Sequence, residues 1–116
     1  MDDPFYGPEF HAITLKFSVS GGGTYITKSG IRDSRAVRSF ICKEALEELG
    51  HRMTQCDDHV SIYNEEVKVI GLVNLEWKNP HGDGKGIPKR GASRFYVSET
   101  QINGYDIWVK GNFPYA

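Results

Sequence analysis

The chain has 116 residues, 39% hydrophobic, 12% aromatic and 25% charged, with a formal net charge of −1. That composition describes one soluble globular domain and excludes intrinsic disorder, a bilayer-spanning run, and a chain-wide attraction to nucleic acid or an anionic membrane. Cys42 and Cys56 are its two cysteines, and the acidic, proline-containing start lacks the basic and apolar regions of a secretory signal. Reduced thiols and a cytoplasmic location are therefore expected, with a disulfide as the alternative for a processed secreted product.

Residues 1–11 read as a flexible arm, because Pro4, Gly7 and Pro8 interrupt any pattern while Phe5, Tyr6 and Phe10 could pin it. Residues 12–19, AITLKFSV, alternate apolar and polar as a half-buried strand does. SGGG then predicts a reversal into a second strand, TYITK. SGIRDS reads as a turn, with Asp33 or Ser34 capping a helix that runs to about Leu49. Val37, Phe40, Ile41, Ala45 and Leu49 form its apolar stripe, Glu44 and Glu48 lie off it, and Gly50 stands at its C-terminus.

Residues 51–58, HRMTQCDD, read as a polar connector. In residues 67–78 the odd positions Val67, Val69, Gly71, Val73, Leu75 and Trp77 favour a long strand, paired with HVSIY through NEE. The competing helix would use Tyr63, Val67, Ile70 and Trp77 but leave Asn74 in its stripe. Near the C-terminus, Asn103-Gly104 between RFYVSETQI and YDIWVK is a strong hairpin signal that places Ile102 opposite Tyr105.

The order is thus ββα followed by three or four strands. It predicts a single-domain α+β fold, with one helix packed on an antiparallel or mixed β-sheet. The opening ββα order resembles that of β-grasp domains, a likeness of architecture that implies no function.

The chain carries no nucleophile elbow, P-loop, dinucleotide fingerprint or His-Glu-x-x-His motif, so no enzyme activity and no cofactor are expected. Cys42 reads as a small buried hydrophobe. His51, Cys56 and His59, with Asp57 and Asp58, are metal-compatible ligand types, but zinc wants two close pairs and the second is missing. An enzyme site assembled from His11, Cys56 and His59 is a minor alternative.

Residues 79–94, NPHGDGKGIPKRGASR, hold four glycines and four basic residues against Asp83. We read this segment as a basic loop that is either a partner-binding element through Lys85, Lys89, Arg90 and Arg94 or a plain connection. The expected function is a small non-enzymatic binding or regulatory module that contacts a protein partner, such as an accessory inhibitor or adaptor. The alternative is a nucleic-acid binder using the basic loop and the C-terminal hairpin, with Phe95, Tyr96, Tyr105 and Trp108 available to stack bases.

Overall fold

The computed structural model describes residues 10–79, 89–111 and Phe113. In chain order the elements are β1 (Phe10–Ser18), β2 (Tyr25–Asp33), β3 (Phe40–Cys42), α1 (Lys43–Leu49), β4 (Thr54–Ile62), β5 (Glu65–Asn79), β6 (Lys89–Ser98) and β7 (Ile107–Lys110). Strands make up 65% of the described residues and helix 7%. The strand order is β1-β2-β7-β3-β6-β5-β4, and a further β1–β5 pairing closes six of the strands into a barrel. β4 stays outside the closure, paired to β5. The β2–β7 and β3–β6 pairs are parallel and the others antiparallel.

This overturns the α+β expectation of one helix packed on an open sheet. The helix is seven residues long, and the segment read as its first half is a turn followed by β3. The physical reason lies in double-sided burial. Phe40 pairs with Trp108 and Ile41 with Ile107 across β3 and β7. Ile41 and Ile107 face one core, with Leu15, Phe17, Leu75, Phe95 and Val97. Phe40 and Trp108 face a second core, with Phe10, Ile31, Ile62, Val67 and Ile102. A strand buried on both faces reads as an unbroken apolar run, so period two vanishes and Phe-Ile-Cys fits a helical stripe by accident. Val37, the stripe's first member, is 85% exposed. Ala45 and Leu49 are buried, Glu44 and Glu48 are exposed, and Gly50 ends the helix at φ 73°, all as expected.

The predicted turn at SGIRDS is the second half of β2. Gly30 is there because β7 passes against it, so that a Cβ would collide with the Ile107 carbonyl. The connector reading also falls, because residues 54–58 belong to β4. Their side chains are polar since β4 covers the barrel from outside, and most of them face solvent.

Other expectations hold. β1 alternates as read, and Gly21, Gly22 and Gly23 have positive φ in the β1–β2 reversal. β5 is the long strand, paired with β4 through a turn at Tyr63–Asn64. Its odd positions from Val67 to Trp77 are all buried. A register shift between Val69 and Gly71 lets this one strand serve both cores: Val67 and Val69 enter the second, and Val73, Leu75 and Trp77 the first.

Ile102 and Tyr105 form the predicted bridge, exchanging backbone hydrogen bonds of 3.2 and 2.9 Å around Asn103 (φ 49°) and Gly104 (φ 84°). The flanking strands do not pair with each other, however, because β3 stands between β6 and β7. The basic loop is shorter than read: Asn79 closes β5 and residues 89–94 open β6, in register with residues 74–79. Residues 80–88 lie outside the described residues. The arm likewise stops short of residue 11, since Phe10 and His11 begin β1.

Candidate functional site

A groove lies between the end of β2 and the β4–β5 hairpin. Asp33 is the last residue of β2, and the chain must turn there to reach β3. The Arg35 N–H donates to Asp33 Oδ1 (2.9 Å) and the Ala36 N–H to the Asp33 carbonyl (3.0 Å). This is a side-chain-stabilised turn of the kind that Asp-Ser favours, and it explains why the same two residues resemble a helix cap. The indole of Trp108 donates to Asp33 Oδ2 at 3.2 Å from the buried β7 side. Asp33 is 7% exposed.

The turn carries residues 34–39 across one wall of a cavity of about 390 Å³. Val60, Ser61, Ile62 and Tyr63 supply the opposite wall, and Phe10, Phe40 and Asp33 contribute as well. Phe10 meets the Tyr63 ring edge-on at 5.3 Å and the Trp108 ring at 6.0 Å, so an aromatic chain links the groove to the second core. Tyr63 has φ 48°, a left-handed conformation uncommon for a bulky residue, and it is 43% exposed. Val37 stands on the rim.

Arg38 ties the two walls together. It donates to Asp58 Oδ2 on β4 at 3.2 Å and stacks over the Tyr96 ring at 4.8 Å. The His59 backbone N–H and the Arg38 guanidinium both bond the Asp58 carboxylate and hold its pKa below the ordinary value. Among the described residues β4 pairs only with β5, which makes it an edge strand beside the groove.

The residues singled out from sequence lie elsewhere. Lys89, Arg90 and Arg94 sit on β6, opposite Asn79, Lys78 and Asn74 respectively, and none lines the groove. Lys85 lies outside the described residues. The connector histidines and cysteine do not converge: among the described residues no three His, Cys, Asp or Glu side chains are placed to hold a metal. His51 instead donates from Nε2 to the Ser18 carbonyl at 2.6 Å, and His59 lies 3.8 Å from Glu66.

Cys42 is 2% exposed, and burial pushes its thiol above the usual range, helped by nearby Asp106. Phe95 and Trp108 are fully buried, so neither is available to stack a base. Among the described residues no helix is long and apolar enough to cross a membrane.

Sequence reasoning missed Val37 and Tyr63 as rim residues. Val37 was absorbed into a helical stripe. Tyr63-Asn64 carries a readable signal, since Asn tolerates positive φ, but the turn was assigned to the following NEE. Compared with protein-family models, curated proteins and solved structures, the chain matches none.

Proposed function

We propose that this protein is a binding module that takes an extended segment of a protein partner along the groove between residues 33–40 and the β4–β5 hairpin. The observation that carries this reading is Val37, a large aliphatic side chain 85% exposed on the rim of a mostly apolar cavity. Solvent exposure of that kind beside an apolar groove is what contact surfaces share. Two features set the occupant's shape. The free edge of β4 can pair with an extended backbone, and the groove beside it can receive alternate side chains. Tyr63 adds support, since a bulky residue held at φ 48° costs about 1–2 kcal/mol and such strain gathers at functional positions.

The test is selection of peptides from a displayed random library against the intact protein, followed by binding to Val37→Asp. Val37 touches neither core, so the variant should melt as the parent does and bind selected peptides at least tenfold more weakly. Peptides that bind both forms equally, or no enrichment at all, would refute the groove as the site.

A further inference from the structure

We propose that the outward-facing row Lys16–Lys78–Arg90, at the far end of the barrel from the groove, binds the phosphate backbone of a single-stranded nucleic acid. Lys16 on β1 is directly opposite Lys78 on β5, and Lys78 is directly opposite Arg90 on β6. Opposed residues in antiparallel ladders share a face, with Cβ atoms about 4.5–5.5 Å apart. All three are exposed. The chain as a whole is slightly acidic, at −1, so three cations in one row do not follow from a basic composition.

Like charges directly opposite one another oppose strand pairing. This row moreover lies on the β1–β5 closure, which consists of two residue pairs. Among the described residues none of the three has a carboxylate partner, whereas Lys28, Lys43 and Lys68 each do. A repulsive row whose members bond no carboxylate among the described residues is the arrangement that a bound polyanion would neutralise.

Two details select the ligand. The row spans two interstrand gaps, about 10 Å, which a strand rising about 3.4 Å per stacked nucleotide covers in three steps. The ring of Tyr25, 36% exposed, lies beside it with Lys78 Nζ 4.1 Å from its centroid. Cations for the backbone next to an exposed ring for a base are the two parts of a single-strand site. An extended acidic peptide would repeat its charges at about 7 Å along one face and would offer nothing to stack. Glu76 on β5 is opposite Ala92 on β6, between the Lys78–Arg90 and Asn74–Arg94 pairs, and its carboxylate directs a polyanion across the strands rather than along β6. The row lies about 20 Å from Phe10 along β1, so this surface is distinct from the groove.

Fluorescence anisotropy with a labelled 15-nucleotide oligouridylate, from 50 to 200 mM salt, tests the proposal. Three phosphate contacts give log K a slope against log salt of about −2, at roughly 0.7 per contact. The combined Lys16→Ser, Lys78→Ser and Arg90→Ser variant should lose that slope and bind at least tenfold more weakly at 50 mM. Lys43→Ser, Lys68→Ser and Lys110→Ser together change the net charge equally and should bind like the parent. Tyr25→Leu should weaken binding roughly tenfold with the slope unchanged. Should the combined variant fail to fold, Lys16→Gln alone must lower the slope by roughly 0.7. The proposal is overturned if the parent does not bind at 50 mM. Equal losses in both triple variants, or competition by polyglutamate as strong as by unlabelled oligouridylate, would also overturn it.

Discussion

The turns at Tyr63–Asn64 and Asn103–Gly104 have positive φ at both central residues, the combination that reverses a chain between twisted strands. After the first, β4 and β5 stay paired back to Thr54 and Leu72. After the second, a single bridge forms between Ile102 and Tyr105, and the flanking strands part to admit β3. Local turn chemistry therefore fixes the reversal and does not fix the partner. The partner is set by burial: Ile107 and Trp108 on β7 are completed on both faces by Ile41 and Phe40 of β3. The two turns also touch, since the Asn103 N–H donates to Glu65 Oε2 at 2.6 Å.

The sharpest way to break the comparison is to remove the side chain each turn packs. Ile102 is 2% exposed in the second core, so Ile102→Ala should cost about 2–5 kcal/mol in a denaturant midpoint experiment. Tyr63→Ala should cost about 1 kcal/mol or less, because the ring is 43% exposed and the Cβ that feels the left-handed backbone is present in both residues. Equal costs would mean that both turns are core elements.

Backbone sign gives a smaller separation. Gly104→Ala should lose about 1 kcal/mol, since φ 84° penalises a Cβ that meets no neighbour within 4 Å. Asn64→Gly should be neutral or gain a few tenths of a kcal/mol, since glycine suits that position of the turn. Glu65→Gln probes the link between the turns. Loss of the charged acceptor for the Asn103 N–H should cost about 1 kcal/mol, and a neutral result would make the contact incidental.

The smallest effect is a pH dependence on the second turn's side. Cys42 Sγ lies 3.5 Å from Asp106 Oδ1, which also accepts from Gln101 Nε2 at 2.8 Å. Burial raises the folded thiol above its ordinary value of 9.0. The unfolded thiol therefore ionises first as pH rises. Its stabilising contribution is complete below pH 9 and is lost as pH climbs through the raised folded value. Melting temperatures of the parent should fall relative to Cys42→Ala above pH 9, and parallel curves would show that the thiol contributes nothing.

What the sequence revealed divides along the same line. β1 and β5 have one buried and one solvated face, so their period of two is visible, and Val67, Val69, Leu75 and Trp77 can be named as core. β3 and β7 are wrapped on both sides and carry no period, and a three-residue strand such as Phe-Ile-Cys has no length to betray it. Barrel closure is invisible for a related reason. It joins Phe17 to Trp77 across 60 positions, and nothing local in either strand announces the other. The groove was legible only as fragments. Asp33-Ser34 suggested a turn, but its place opposite Tyr63 depends on β4 folding back over the second core. The basic residues Arg90 and Arg94 were legible as charges and misplaced as loop, because Gly91 and Ala92 weaken the strand pattern around them.

The brevity of the β1–β5 closure has a mechanical consequence. β1 is bound to β2 along nine residue pairs and to β5 along two, and β3 meets β7 along two as well, so the barrel wall has two short welds. A slow breathing motion would part the wall at such welds before the long ladders, because each rests on two residue pairs. Phe17 and Trp77 lie at the β1–β5 weld with their rings in the interior, and Trp77 also donates to Ser93 Oγ at 2.9 Å. The interior plug, rather than the backbone seam, is then what keeps the cylinder shut, and the shape of the barrel is held from inside.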